Sequence, residues 1–279
     1  MTADPPREAR RGIRPRHAAL LAPAILALIG GWWYWSGSPR TTLPVGVRAW
    51  AVAFSPDGTL LATGGAQTDG FQEANGVVRL WDVATRRPVA TWVTNGHYVA
   101  HLAFGPDGRT LTSMASVGSY DPVSGVLPRC EIRVWDVATF QEIGGPTAAD
   151  FPKPFPLISP TSRVVAESGG WGVVVLSDAE AGEEMYRVPA DRRQLNCAAF
   201  SADGALLATG GGDTSGSGPS PIPWMNGDLR LWEVGTGRVL GTFNRHSAPI
   251  ESVAFSPDGK LVASASLDGK VKLWAVPGR

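Results

Sequence analysis

At 279 residues, the chain is long enough for one large all-β domain or for two small domains. Lys and Arg total 25, as do Asp and Glu, so the basic excess usual in nucleic-acid-binding proteins is absent and no nucleic-acid partner is expected. Two cysteines, Cys130 and Cys197, are too few for a disulfide scaffold, although one bridge between them stays open. The 34 glycines and 23 prolines favour many short strands joined by tight turns.

The first predicted element is the uncharged segment AALLAPAILALIGGWWYW at residues 18–35. As a helix it would extend for about 27 Å, close to the hydrocarbon thickness of a bilayer. Arginines crowd the preceding residues, and the positive-inside rule then places the N-terminus in the cytoplasm. We therefore expect a basic cytoplasmic segment at 1–17, a transmembrane signal anchor at 18–35, a linker at 36–39 and an exported domain at 40–279. The expected localisation is a single-pass membrane protein with its domain on the extracytoplasmic side.

A cleaved signal peptide is the alternative interpretation of the same segment. Ser36-Gly37-Ser38 offers the best small-x-small cleavage site, although four bulky aromatic residues stand just before it. The Arg10-Arg11 pair also weakly resembles a twin-arginine export signal.

Two landmarks recur through the rest of the chain and define five units. The first is FSPDG at 54–58, which returns with small changes at 104–108, 158–162, 200–204 and 255–259. The second is a Leu-Trp-Asp-like triplet, found at 80–82, 134–136, 176–178, 231–233 and 273–275. A repeat of this kind predicts an architecture of stacked, similar modules.

Each unit is predicted to form a small antiparallel sheet. In the last unit, residues 253–255 form a buried strand, and Pro-Asp-Gly then makes a tight turn because Pro fixes φ and Gly accepts positive φ. Residues 261–264 return as a second strand, and 271–274 alternate apolar and polar residues as a third. The segment between units supplies a fourth, outer strand.

Four-stranded repeats with this turn and a Trp-Asp pair resemble the blades of WD-repeat β-propellers, over residues 40 to 279. The resemblance implies an all-β fold, a β-propeller of about five four-stranded WD-type blades, here preceded by one transmembrane helix. It also implies a buried structural hydrogen-bond network, which the last unit matches with His246, Ser264, Asp268 and Trp274. The family's Gly-His pair occurs intact at Gly96-His97.

Two features of the sequence bear on ring closure and regularity. The third unit has Glu167 at the hydroxyl position and Ser177 at the Trp position, so that blade is expected to be the least well ordered. Residues 40–47 lie where the resemblance requires an N-terminal strand to complete the last blade. Seven blades are usual for the family, so a split ring, or a ring completed between chains, is the alternative to five closed blades.

No catalytic or cofactor motif is found: the chain has no phosphate loop, His-Glu-x-x-His, Gly-x-Ser-x-Gly or Cys-x-x-Cys. No cofactor, metal site or enzymatic activity is therefore expected. His101 shares an inner-strand position with Cys197 and Ser252, so a Cys–His pair near the ring axis is conceivable. Small and polar residues also commonly fill the crowded centre of a propeller, which explains the same pattern without catalysis.

Three units carry an insertion between their second and third strands, at 66–76, 116–130 and 212–227. Because the connection is the same each time, all three are expected to emerge on one face. They contain aromatic and thioether side chains of the type that anchor interfaces, namely Phe71, Tyr120, Trp224 and Met225.

The predicted function is a membrane-tethered WD-repeat scaffold that binds another protein through this insertion-bearing face. The membrane would be its second partner, contacted through residues 18–35. An extracytoplasmic propeller hydrolase is one alternative, and an incomplete propeller that assembles with other subunits is another.

Overall fold

A computed structural model describes residues 38–46, 48–69, 72–94, 96–117, 129–149, 157–161, 163–170, 172–189, 194–212 and 227–279. The chain divides into two units, residues 1–34 and 35–279, and everything described lies in the second. Within the ranges just given, the chain has no helix with the length and apolar character needed to cross a membrane. The anchor predicted at 18–35 lies outside those ranges.

The described residues form five four-stranded antiparallel sheets, here called blades 1 to 5 in chain order. Blades 1 and 2 contain β2 (Arg48–Phe54), β3 (Leu60–Asp69), β4 (Gln72–Asp82), β5 (Pro88–Thr94), then β6 (Tyr98–Phe104), β7 (Thr110–Val117), β8 (Arg129–Asp136) and β9 (Glu142–Ala149). Blades 3 and 4 contain β10 (Leu157–Ile158), β11 (Val164–Ser168), β12 (Val173–Asp178), β13 (Glu184–Pro189), then β14 (Leu195–Phe200), β15 (Leu206–Gly211), β16 (Leu229–Glu233) and β17 (Arg238–Phe243). Blade 5 contains β18 (Ile250–Phe255), β19 (Leu261–Ser266), β20 (Lys270–Ala275) and β1 (Thr41–Pro44). The all-β prediction of five four-stranded sheets is confirmed, and the arrangement is consistent with a WD-type β-propeller.

The recurrent Ser-Pro-Asp-Gly segment forms the turn between the first two strands of a blade. In blade 1, Gly58 has a positive φ of 72°, a conformation that glycine adopts without steric cost. The Ser55 hydroxyl donates to Asp57 at 2.5 Å and accepts from the Leu60 amide at 2.9 Å. These side chains therefore satisfy the backbone groups that the tight turn leaves unpaired.

The N-terminal strand completes the last blade, as the sequence predicts. Strand β1 runs antiparallel to β20, with Thr41 opposite Leu273 and Pro44 opposite Lys270. It covers the outer edge of blade 5, which would otherwise present unpaired backbone groups. The observed strand, Thr41–Pro44, is shorter than the predicted range of 40–47.

Neighbouring blades pack face to face through four apolar clusters. These clusters join blades 5 and 1, blades 4 and 5, blades 3 and 4, and blades 1 and 2. Small residues on β3 and β15 allow the close approach: a Cβ on Gly64 would lie 2.6 Å from the Val99 side chain, and one on Gly210 would lie 2.8 Å from that of Ile250. Glycine is therefore required where the inner strand of the next blade presses against the sheet.

The junction between blades 2 and 3 differs from the other four. No apolar cluster of the described residues joins these two blades. Val134 of blade 2 is only partly buried, whereas Leu80 and Leu231, at the equivalent positions of blades 1 and 4, are fully buried. Ile158 of blade 3 is 64% exposed. The two facing surfaces of this junction are thus half-open to solvent.

Sequence differences explain the open junction. Met114 occupies the position at which blades 1 and 4 have Gly64 and Gly210, so a following blade cannot approach as closely. On the other side, Ser177 of blade 3 replaces the tryptophan that packs against the preceding blade elsewhere. A large residue on one surface and a missing ring on the other prevent the interdigitation that closes the remaining junctions.

The first insertion departs from the expected loop. Instead of a loop over 66–76, β3 and β4 continue as an antiparallel ribbon in which Gln67 pairs with Asn75 and Asp69 with Gln72. Backbone pairing continues past the end of the core because a two-stranded hairpin satisfies its own hydrogen bonds. The ribbon carries a bulge between Gln67 and Thr68.

Loss of packing by β1 should weaken blade 5. Leu43 is 3% exposed and belongs to the cluster between blades 5 and 1, so Leu43→Ala should lower the unfolding free energy by about 2–5 kcal/mol. The neighbouring Thr42 is exposed, and Thr42→Ala is the matched control, with an expected change under about 0.5 kcal/mol. Urea unfolding of both variants tests this, and equal changes would contradict a packed closing strand.

Candidate partner-binding face

The three insertions leave the structure at a common edge. They follow β3, β7 and β15, which are the second strands of blades 1, 2 and 4, and all three strands run in the same sense within their blades. We call this edge the insertion edge. The four predicted anchors, Phe71, Tyr120, Trp224 and Met225, lie outside the described residues, so their partner-binding role stays a prediction.

The inner strands begin at this same edge. In blade 1, Arg48 pairs with Ala66 beside the first insertion, and in blade 2, Tyr98 pairs with Ser116 just before the second. In blade 4, Leu195 pairs with Gly211 immediately before the third. The first residues of the inner strands are therefore neighbours of the insertions.

A β-bulge recurs at the start of these inner strands. The register shifts leave one residue unpaired in each of blades 1, 2, 4 and 5, namely Trp50, Ala100, Asn196 and Glu251. Each stands four residues before the landmark phenylalanine of its unit. Bulges interrupt pairing and are frequent beside functional sites.

Hydrogen bonds and a ring contact link neighbouring inner strands from blade to blade around the axis. The Asn196 side-chain amide donates to Glu251 Oε1 at 3.0 Å, which joins blades 4 and 5. The Val52 amide donates to Ser252 Oγ at 3.2 Å, which joins blades 5 and 1. The Trp50 and Tyr98 rings stack with centroids 4.6 Å apart, which joins blades 1 and 2. We call Asn196, Glu251, Trp50 and Tyr98 the axial arc.

Within the residues that the structure describes, two polar groups of the axial arc lack an interaction partner of the kind that buried polar groups usually have: the Glu251 carboxylate lacks a cation, and the Trp50 indole N–H lacks an acceptor. Burial raises the pKa of Glu251 above its usual value, and the hydrogen bond from Asn196 opposes this shift. Among the described residues, no cation forms an ion pair with Glu251. Trp50 Nε1 is buried and has no hydrogen-bond partner in the described part of the chain. An unpaired buried donor costs about 1–3 kcal/mol, so this one calls for an acceptor.

A second polar constellation lies inside blade 5 and links all four residues of the predicted network. His246 Nδ1 lies 2.9 Å from Asp268 Oδ2, and its Nε2 lies 2.8 Å from Ser264 Oγ. Trp274 Nε1 donates to Ser264 Oγ at 2.8 Å. Because the ionised Asp268 carboxylate can only accept, Nδ1 carries the proton and Nε2 accepts from the Ser264 hydroxyl, which assigns the Nδ1–H tautomer to His246.

Burial explains the protonation of this network. It lowers the pKa of His246, while the hydrogen bond and charge of Asp268 act in the opposite direction. The pKa of Asp268 is also lowered: burial alone would raise it, but the contacts with His246 outweigh that effect. His246 is 1% exposed, so the constellation is closed to substrates.

The indole-to-hydroxyl bond recurs in four blades. Trp81 donates to Thr63, Trp135 to Ser113 and Trp232 to Thr209, each at 2.9 Å. Blade 3 has no such bond, because Glu167 and Ser177 stand at the two positions, and Glu167 is exposed. The intact Gly96-His97 pair does not form a network like that of His246, because the His97 side chain is exposed. A structural role for His97 in its blade stays a prediction.

The conceivable Cys–His pair gains no support from the geometry. The Cys197 thiol is buried and donates toward the Gly210 carbonyl at 3.6 Å. Burial, with a smaller effect of the Glu251 charge, raises the pKa of Cys197 well above its usual value, so the reactive thiolate is disfavoured. His101 lies on the inner strand of blade 2 with its side chain exposed. Cys130 and Cys197 are both buried and form no disulfide with each other, so the bridge left open by the sequence is not formed.

Trp50 and Glu251 were missed by the sequence analysis, although their spacing offered a signal for both. Each occupies a fixed offset before the landmark phenylalanine, where the other units have Ala100 and Asn196. Metal binding finds no support either, since the described ranges hold no group of three or more His, Cys, Asp or Glu able to bind a metal ion.

Three segments of the chain match the family model described as "WD domain, G-beta repeat", at residues 37–82, 182–216 and 237–275. Similar proteins include Periodic tryptophan protein 2 of Saccharomyces cerevisiae, 30% identical over 32% of this chain and 8% of the relative. Periodic tryptophan protein 2 of Arabidopsis thaliana is 25% identical over 80% of this chain and 21% of the relative. Protein ROOT INITIATION DEFECTIVE 3 of Arabidopsis thaliana is 28% identical over 80% of this chain and 48% of the relative. The chain spans less than half the length of each, and the WD-repeat family is supported by both kinds of match.

The localisation predicted from the sequence is wrong. A single-pass membrane protein with an extracytoplasmic propeller was the expectation, whereas the relatives matched over most of the chain include two Periodic tryptophan protein 2 proteins. The described residues also contain no membrane-spanning helix. The membrane contact through 18–35 and the transmembrane part of the fold prediction are likewise unsupported.

Acidification should destabilise blade 5 through His246. Since its folded-state pKa is lowered, the unfolded chain binds more protons, so the stability present above about pH 6.5 should fall as pH drops below that value. Asp268 adds an effect of the same sign at lower pH. The variant His246→Gln should be less stable at neutral pH and show a flatter dependence on pH in denaturant unfolding.

The comparison variant is His101→Gln, because His101 is exposed on the inner strand of blade 2 and forms no such network with the described residues. It should retain most of the pH dependence of the unmodified protein. An unchanged slope in His246→Gln would show that the network does not control the acid sensitivity.

Proposed function

We propose that this chain is a WD-repeat scaffold that binds another protein through the face at its insertion edge. The observation that carries the proposal is the coincidence of three insertions and the axial arc at one edge. The opposite edge carries the short Ser-Pro-Asp-Gly turns, whose side chains are occupied with their own backbone. The edge with the turns thus closes the blades, whereas the insertion edge is free to vary in the length and sequence of its connections.

The insertions need no stabilising role to persist. Doubling the length of a loop costs only about 0.6 kcal/mol in closure entropy, so their clustering at one edge is what calls for an explanation. Within this proposal, Phe71, Tyr120, Trp224 and Met225 supply the apolar anchors of the interface.

A binding role is also favoured over catalysis by the chemistry of the axis. The thiol of Cys197 is held in its protonated form by burial, and His246 is enclosed in blade 5. The carboxylate of Glu251 is held by an amide instead of facing a second acid or base. We therefore propose a non-enzymatic scaffold.

A second candidate function is favoured by the open junction between blades 2 and 3. Half-exposed apolar residues face each other there, including Met114, Val134 and Val165. Because burial of apolar surface drives association, apolar residues of another subunit would complete this junction by packing against these side chains. On this view the chain is one part of a larger ring assembly.

The partner-binding proposal predicts that the insertions control affinity. After a partner has been identified by cross-linking to the full chain, Tyr120→Ala or Trp224→Ala should weaken its binding about tenfold or more in calorimetry, because aromatic anchors carry much of an interface's energy. Replacing 118–128 and 213–226 by short turns should weaken it further. Stability should change little, since loop tips add little to the core.

The matched control for these variants is Ile143→Ala. Ile143 is 58% exposed on the outer strand of blade 2, at the start of β9 and away from the insertion edge. It should leave affinity unchanged. Equal affinity of the shortened and full-length chains would remove the insertions from the binding site.

The second candidate predicts a mass above that of one chain, 29.4 kDa, in analytical ultracentrifugation. The variant Met114→Lys places a charge on the open surface of blade 2 and should return the protein to a monomer, whereas Thr42→Ala should not. Completion of the ring by another subunit would be excluded if the wild-type protein has the mass of one chain at all concentrations, and if its complex with the partner also contains one copy of the chain.

A further inference from the structure

We propose that a tryptophan side chain of a partner protein inserts between blades 2 and 3 and donates its indole N–H to Glu167. This inference rests on the second candidate function, because it names the chemistry that would complete the open junction. It concerns described residues alone, and it depends neither on the insertions nor on the axial arc.

The four closed junctions show what the open junction lacks. In each of them, an indole from the third strand of one blade packs against the preceding blade and is at most 5% exposed. Its N–H donates to a hydroxyl on the second strand of its own blade. Blade 3 has Ser177 and Glu167 at these two positions, so the indole is missing while an acceptor remains. We call the gap bordered by Val165, Glu167 and Ser177 the blade 3 slot.

The blade 3 slot is open to solvent, unlike its counterparts in the other blades. Val165 pairs with Ser177 and is half-buried, whereas the residues that pair with the four indoles are fully buried. Glu167 is exposed, whereas the four hydroxyl residues at its position are at most 3% exposed. A side chain from another molecule therefore has access both to the apolar wall of the slot and to its acceptor.

Blade 2 supplies a second apolar wall, opposite the blade 3 slot. At the junction between blades 5 and 1, Trp81 shares its cluster with Ala265 and Leu273 of the preceding blade. The equivalent residues of blade 2 are Met114 and Val134, and both are half-buried. Because Met114 is larger than the alanine, it keeps the two sheets apart, and the gap stays available to a ring from outside.

These surroundings favour a ligand that is both aromatic and an N–H donor. A flat ring between two apolar walls removes a large area from water, and the Glu167 carboxylate accepts from a donor through a charge-assisted bond. The carboxylate oxygens stand two bonds farther from the backbone than a serine hydroxyl, so they extend toward a ring that is not tethered at Ser177. An arginine would place a charge between apolar walls, and a phenylalanine would offer no donor. A tryptophan side chain meets both requirements.

The test uses the full chain and four peptides of the form acetyl-Gly-X-Gly-amide at millimolar concentrations. X is tryptophan, phenylalanine, arginine or 3-benzothienylalanine, which keeps the shape of the indole but has sulfur in place of N–H. Binding is followed by the methyl ¹³C–¹H resonance of Met114, assigned with Met114→Leu, because an aromatic ring beside the methyl group shifts it. The tryptophan peptide should move this resonance and bind about tenfold more tightly than each of the others.

Variants then separate the acceptor from general charge effects. Glu167→Met keeps the length of the side chain but removes the acceptor, so the tryptophan and benzothienylalanine peptides should bind it equally. Glu180→Met removes an exposed carboxylate on the turn after β12 and should retain the preference of about tenfold. The proposal is overturned if the wild-type chain binds these two peptides equally, if it prefers phenylalanine or arginine, or if Glu167→Met keeps the preference.

The variant Ser177→Trp supplies the missing ring within the chain itself. It should move the Met114 resonance in the absence of peptide and abolish binding of the tryptophan peptide. Undiminished binding by a folded Ser177→Trp chain would place the peptide elsewhere and refute the slot. If this variant does not fold, Glu167→Met still decides the question.

The two proposals fail in different ways. If the chain assembles and Met114→Lys dissociates it, but the tryptophan peptide does not bind, only the indole slot is refuted. If the peptide binds while the free chain and its complex each contain one copy, the slot stands and the larger ring assembly is refuted.

Discussion

The hydrogen bond from a buried indole to a serine or threonine hydroxyl is the interaction on which the blades depend. It measures 2.8–2.9 Å in blades 1, 2, 4 and 5, and it joins the second strand of each blade to the third. A tryptophan ring can be fully buried only when its N–H has an acceptor, so this bond permits the large apolar ring to face the preceding blade. Blade 3 lacks the bond, and its face toward blade 2 is correspondingly open.

The contrast between the junctions shows that the size of the side chains between two blades decides how closely those blades approach. Gly64 and Gly210 admit the side chains of Val99 and Ile250 at distances that any Cβ would obstruct. Met114 at the same position holds the next blade away, and a missing tryptophan on blade 3 leaves nothing to fill the space. The discontinuity follows from packing on both of its surfaces, because interiors are close-packed and tolerate neither excess volume nor a void.

A division of roles between the two edges follows from the same repeat. At the turn edge, the Ser and Asp side chains form hydrogen bonds with each other and with the backbone of the turn. Few polar groups are left there to recognise a ligand. At the insertion edge, bulges leave one residue unpaired in the inner strands of blades 1, 2, 4 and 5. Among these residues are Glu251, whose carboxylate has no cationic partner in the described part of the chain, and Trp50, whose indole N–H has no acceptor there. These two groups thus lie at the edge opposite the turns.

The repeat, the number of blades, the closing strand and the blade 5 network could be predicted from the amino-acid sequence, because each depends on short-range patterns such as turn residues, alternation and fixed spacing. The localisation predicted from it was wrong, and no pattern in it drew attention to Trp50 or Glu251. Only the tertiary structure decided which inner-strand residues meet around the axis and which junction stays open. Those outcomes depend on contacts between residues as far apart as Val52 and Ser252, and on the volume available between sheets, which no local pattern records.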